Sequence, residues 1–183
     1  MTKKELLSII KVDYYRTVGR WDGLFPALIH ILLNPISAEA FLFYFRIAQL
    51  GGGYKLIAKI NLRKISRIRN IDIPLQTRIG KGLYLGHFMC IVINPTTIIG
   101  NYCNISQFTN IGANDGNAAI IGDKVYIGPH VSIVENVRIG NNVTIGAGAV
   151  VTKSVPDYAT VAGVPAKILN FNNPGRYIDR CID

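Results

Sequence analysis

The stretch IGDKVYIGPHVSIVENVRIGNNVTIGAGAVV (residues 121–151) decides the fold, because an aliphatic residue returns at Ile121, Ile127, Ile133, Ile139, Ile145 and Val151. Followed backwards, the ladder takes in Ile79, Leu85, Ile93, Ile99, Ile105 and Ile111, and nine of its eleven intervals are six residues. The exceptions, eight residues from Leu85 to Ile93 and ten from Ile111 to Ile121, read as insertions into a kept period. Gly often follows the lead residue, as at Gly100, Gly122 and Gly140, and a small or branched residue stands four positions after it. Neither a 3.6-residue helix nor a two-residue alternation produces that pattern, whereas a β-solenoid does. Each hexapeptide then makes one short strand and one corner, with the lead inward and Gly supplying the backbone angles of the corner. Three hexapeptides close a coil, so the twelve repeats predict about four coils stacked at about 4.8 Å.

The expected organisation is an α-helical N-terminal region over 1–70, a β-helix domain over 71–169 and a tail over 170–183. Residues 1–70 lack the six-residue period, and segments near 2–12, 24–33, 37–50 and 53–66 read as helices, the last two separated by GGG at 51–53. At 183 residues and 49% hydrophobic, the chain is long enough for an ordinary core and is not disordered. Its net charge of +9 is uneven: residues 1–70 hold 12 Lys/Arg against 4 Asp/Glu, a net of +8, and the remainder is nearly neutral. In YKLIAKINLRKISRIR (54–69) apolar residues alternate with basic ones, which fits either a solvated face of a packed helix or a peripheral contact of residues 55–69 with an anionic membrane. No groove-reading motif accompanies the charge, so nucleic acid is not an expected partner. The apolar run LFPALIHILLNPISAEAFLFYFR is broken by Asn34-Pro35 and Glu39 and reads as two packed helices, not a membrane span. The N-terminus, interrupted by Lys11 and Asp13, lacks the features of a secretion signal. Three cysteines without metal-ligand spacing predict a reduced cytoplasmic protein, at most touching the inner face of the membrane, without a structural metal.

The hexapeptide ladder ending in IGAGAVVTKSVPDYATVAGVPAKIL (145–169) resembles the left-handed β-helix acyltransferases. DIPLQTRIGKGLYLGH and IVINPTTIIGNYCNISQ narrow the likeness to the serine acetyltransferase branch and its relatives among surface-polysaccharide enzymes. The resemblance implies a left-handed coil, a homotrimer, acetyl-CoA as co-substrate and direct acetyl transfer to a hydroxyl. It also implies His87 as the general base, with Asp72, fifteen residues upstream, as the carboxylate holding its imidazole. Imidazole suits the task because an alcohol must lose its proton as it attacks the thioester, and a free His titrates near pH ~6.5. An orienting carboxylate fixes the tautomer and stabilises the imidazolium.

Backbone N–H groups near Gly112 and Ala113 are candidates for the oxyanion, and Gln107 for the acceptor. Gly146, Ala147 and Gly148 permit close approach of pantetheine, while Lys153 and Lys167 suit the CoA phosphates. Each also has a plain structural reading, as a coil corner or a solvated surface charge. Cys90 and Cys103 read as packing residues, and His30 and His130 have no partner in the sequence. Two serine-binding handles of the serine enzymes are absent: Ala118 stands in place of a His, and Gly86 in place of the acid before the catalytic base. The acceptor expected on that ground is a sugar hydroxyl of a surface polysaccharide or its precursor, with serine as the alternative and a non-catalytic scaffold as the lesser one.

Overall fold

A computed structural model describes residues 2–182. Among these residues thirteen short parallel strands wind in sequence around three faces, four on the first and third and five on the second, and every lead residue of the ladder is the second residue of a strand. The first face stacks β1 (Arg78–Ile79), β4 (Ile98–Ile99), β7 (Ile120–Ile121) and β10 (Arg138–Ile139). The second stacks β2 (Tyr84–Leu85), β5 (Asn104–Ile105), β8 (Tyr126–Ile127), β11 (Thr144–Ile145) and β13 (Thr160–Ala162). The third stacks β3 (Val92–Ile93), β6 (Asn110–Gly112), β9 (Ser132–Val134) and β12 (Val150–Val151). Pairing is parallel throughout these stacks, in a register that places lead on lead, as Ile105 on Ile127 and Ile111 on Ile133. A final strand, β14 (Lys167–Asn170), adds antiparallel to β13 and covers the open end of the second face.

The interior is filled by the leads and by the residues four positions after them, so that Ile105, Ile111, Val125, Ile127 and Val143 are all fully buried. Glycine serves a different purpose from the one the ladder suggests. Gly100, directly after its lead, does not have a positive φ; a Cβ there would lie 2.5 Å from the Gly122 carbonyl oxygen in the next coil. On the first face close stacking requires glycine at that position, and Gly80, Gly122 and Gly140 meet the neighbouring coil's backbone in the same way. The left-handed turns fall two residues later, on Tyr102, Lys124, Asn142, Phe108 and His130, with φ between 54° and 59°. Beside the first face the glycines admit a side-chain ladder, in which the Asn101, Asp123 and Asn141 backbone N–H groups donate to Asp123 (2.7 Å), Asn141 (2.8 Å) and Asp157 (2.8 Å) of the following coil.

The N-terminal region contains α1 (Lys3–Val18), α2 (Leu24–Leu33), α3 (Ala38–Leu50) and α4 (Lys55–Arg69). Helix α1 begins in a Thr2–Glu5 capping box and runs to Val18, six residues beyond the expected boundary, where left-handed Gly19 caps it. Asp13, which looks like an interruption in the sequence, is a buried acid within that helix, bonded to Arg46 of α3 at 2.9 Å. Arg46 in turn donates to the Ile79 and Gly80 carbonyls of the first coil at 2.7 and 2.6 Å, and Asp13 accepts from the Gly82 N–H at 2.6 Å. The helices are thereby fastened onto the first coil and cover its end. Helices α2 and α3 meet at 116° around Asn34-Pro35, and among the described residues no single helix is long and apolar enough to cross a membrane.

Candidate active site

His87 stands where the solenoid departs from its period. Gly86 pairs onto the coil below through its N–H to the Ile105 carbonyl at 2.8 Å, and Cys90 donates to Arg69 of the turn above, also at 2.8 Å. Cys90 therefore occupies the left-handed corner position held by Phe108, His130 and Gly148 in the coils below, and the two extra residues of the eight-residue interval are His87 and Phe88. Phe88 turns in and packs on Phe41 of α3 at 5.4 Å, with Arg69 over its ring, while His87, at φ 50°, stays exposed. The insertion thus holds an imidazole outside the ladder and anchors it from behind.

The space in front of His87 is a hollow of about 490 Å³ bordered by Tyr84, Ser106, Gln107, Tyr126 and Pro129, and by Arg16 and Tyr177 from distant parts of the chain. Gln107 is thus brought beside His87, and its Oε1 is buried without a hydrogen-bond partner. Arg16 is buried, donating to Gly82 O and Asn104 Oδ1, each at 2.8 Å, and among the described residues its Nε has no partner. The tail returns along the second face: Asn104 donates to the Tyr177 carbonyl at 2.7 Å, Tyr102 OH donates to the Ile182 carbonyl, and Tyr177 packs on Tyr126 at 4.9 Å. Tyr84 and Tyr126 occupy the outward strand position that recurs every third hexapeptide, so the ladder contained a signal for them. Nothing in the sequence announced Arg16 or Tyr177.

Asp72 lies elsewhere. Its backbone begins the third face above Val92, and its exposed side chain borders a separate hollow of about 310 Å³ with Gly112 and Ala113. Among the described residues, Asp72 and His87 share no hydrogen bond or ion pair, and the one His–carboxylate approach within 4 Å is His30 to Glu39 at 3.7 Å. The carboxylate–imidazole pair implied by the resemblance is therefore not formed within a single chain. The reason is topological: Ile73 is the inward residue of that strand position, which turns its neighbour Asp72 onto the outer surface of the third face, while His87 leaves the chain before that face is reached. Gly112 and Ala113 follow β6 on that same face and likewise do not border the His87 hollow.

Gly146, Ala147 and Gly148 fall on the same corner as Gln107 and Pro129, two coils below Gln107, with the Gly148 N–H donating to Pro129 O at 2.9 Å. Gly148 has φ 70° and a Cβ there would meet nothing within 4 Å, so the corner is open to an approaching chain. Lys153 and Lys167 are exposed and, among the described residues, form no ion pair. His130 stacks on Phe108 at 4.5 Å along the same corner. Cys103 is fully buried, its Sγ 3.2 Å from Gly122 O, and burial above all pushes its thiol up to about 12. Iodoacetamide at pH 8 should therefore modify exposed Cys181 and leave Cys103 unmodified in the folded protein; peptide mass spectrometry reads the difference, and rapid labelling of Cys103 would show that the coil opens there.

Residues 118–153 match the family model described as bacterial transferase hexapeptide, six repeats. Serine acetyltransferase 4 of Arabidopsis thaliana is 36% identical over 129 residues, covering 65% of this chain, and the chain spans only 35% of that relative's length. Among solved structures, the serine acetyltransferase of Neisseria gonorrhoeae in complex with serine is similar at 30% identity and a TM-score of 0.74, over 92% of this chain and 70% of that one. A serine acetyltransferase in complex with CoA is similar at 26% identity and a TM-score of 0.71, over 91% and 70% of the two chains. Hexapeptides stacked lead on lead in four coils, a helical cap and likeness over nine-tenths of its length together make this chain a member of the hexapeptide-repeat left-handed β-helix acyltransferases, with serine acetyltransferases among its relatives.

Proposed function

We propose that this chain is an acetyl-CoA-dependent O-acetyltransferase that moves acetyl directly from CoA to an acceptor hydroxyl, with His87 as general base. The observation that carries the reading is the two-residue insertion that lifts an exposed His out of an otherwise regular ladder, beside an open corner running down to Gly148. Bound acetyl-CoA supplies an activated thioester. Below Gln107 the corner passes through Pro129 and Ala147 to open Gly148 and offers a path for its pantetheine arm, with exposed Lys153 and Lys167 proposed to meet the phosphates. His87 takes the hydroxyl proton as the oxygen attacks, and the imidazolium returns a proton to the departing thiolate. Gln107, with a free Oε1, is proposed to hold the acceptor.

Asp72 as the orienting carboxylate, and Gly112 and Ala113 as oxyanion donors, belong to this proposal on the strength of the resemblance. They gather on the third face, so they reach an imidazole only where a second copy's corner lies against that face, as in a homotrimer.

L-serine is the acceptor that the relatives favour, since one of the similar structures holds it. A sugar hydroxyl is the second reading and rests on particular residues. Ala118 is fully buried and apolar where a serine-binding His is expected, Gly86 presents no acid, and the hollow before His87 is bordered by Tyr84, Tyr126 and Tyr177. Thiol titration of CoA release, with L-serine and a panel of sugars and nucleotide sugars offered separately, tests the proposal. Turnover with serine assigns the serine reaction, turnover with sugars alone assigns the second reading, and no acceptor-dependent release from any of them overturns both.

A further inference from the structure

Helix α4 carries apolar residues on both its inward and its outward side. Ala58, Leu62 and Ile65 are buried, as a packed helix requires, but Leu56, Ile57, Ile60 and Ile68 are 68%, 60%, 57% and 50% exposed. Their spacing places them on one outward arc, interleaved with Lys55, Lys59, Arg63, Lys64 and Arg67. The helix contains no acidic residue, and among the described residues none of its six basic side chains is in an ion pair. Between Ile60 and Ile68 the arc is hollowed, with Arg63, Lys64 and Arg67 around the depression. On its flank, Lys55, Lys59, Arg63 and Arg67 step along the rim of a groove of about 880 Å³, over a floor that includes Leu62 and Phe41.

Single exposed aliphatic residues are ordinary, but four on one arc mark a contact surface. We infer that α4 seats on an anionic lipid bilayer, with Leu56, Ile57, Ile60 and Ile68 entering the interface and the interleaved cations meeting lipid phosphates. Charge selects this occupant: the same arc set against a second copy of itself would oppose cations with cations, whereas an anionic surface attracts them all. The N-terminal region carries a net of +8 and the rest of the chain almost none, so attraction to the surface also orients the molecule with α4 toward it.

The test is co-sedimentation of the full chain with phosphatidylglycerol/phosphatidylcholine vesicles and with phosphatidylcholine vesicles alone. Binding is expected to the first and not the second, weakening as salt is raised. Each basic residue near an anionic surface contributes about fivefold to partitioning, so Arg63→Gln with Lys64→Gln should lower it at least tenfold, and Leu56→Ser with Ile60→Ser should lower it as well. All four side chains are exposed, and far-UV circular dichroism checks that the variants remain folded. Equal binding to both vesicle types, or binding to neither, overturns the inference. So does a smaller oligomeric mass for the Leu56→Ser, Ile60→Ser protein in lipid-free light scattering, which would assign the arc to contact between copies.

Discussion

Replacing His87 with Asn should lower acetyl transfer at least about 10²-fold while leaving the fold and acetyl-CoA binding intact, the loss typical of removing a positioned general base. Asn is the informative substitution because His87 sits at φ 50°, a conformation that Asn adopts more readily than most residues, so backbone strain does not enter the result. The side chain is exposed and among the described residues is in no ion pair, so its loss leaves no cavity. Phe88, not His87, anchors the insertion against Phe41. Steady-state turnover and thermal unfolding of the same sample separate the two roles. Turnover within a few-fold of the parent would place the base elsewhere, and a large fall in melting temperature would make His87 a structural residue.

The second large effect concerns the joint between helices and solenoid. Arg46→Ala should destabilise the protein by about 3–5 kcal/mol, since it leaves the Asp13 carboxylate buried without its cation. It also strips the Ile79 and Gly80 carbonyls of their donors at the point where α3 meets the first coil. Burial already pushes the Asp13 pKa upward against the pull of Arg46 and the Gly82 N–H, so the acid has no comfortable ionised state once Arg46 is gone. In a domain of this size the loss corresponds to a fall in melting temperature of about 6–20 °C. The paired replacement Arg46→Met with Asp13→Leu should recover most of it, because an apolar pair needs no compensating charge. A single-variant shift below about 2 °C would show that the pair does not hold the cap.

The period of the aliphatic ladder made the solenoid legible, because the core of a three-faced coil admits inward residues only at fixed phase. The eight-residue interval from Leu85 to Ile93 contains His87, and the resemblance singles it out within that interval. The reason for the glycines was not legible: a sequence shows a small residue at a turn without showing whether φ or the neighbouring coil demands it, and Gly100 turns out to answer to the Gly122 carbonyl. Helix α1 was read short because Asp13 looks polar in one dimension, and its partner Arg46 lies 33 residues away. The site was only partly legible. Gln107 shares the His87 corner through the repeat, whereas Asp72 matched by spacing and lies on another face. Arg16 and Tyr177 reach the hollow through contacts that no local pattern encodes.

Direct transfer is distinguished from a covalent route by a single turnover with acetyl-labelled acetyl-CoA and an acceptor found active by CoA release. The expected result is one label on the acceptor as an O-ester for each CoA released, none retained on the protein, and loss of both products in the His87→Asn variant. Label held covalently on the protein, at Cys90 or any other side chain, or undiminished transfer by that variant, would contradict it.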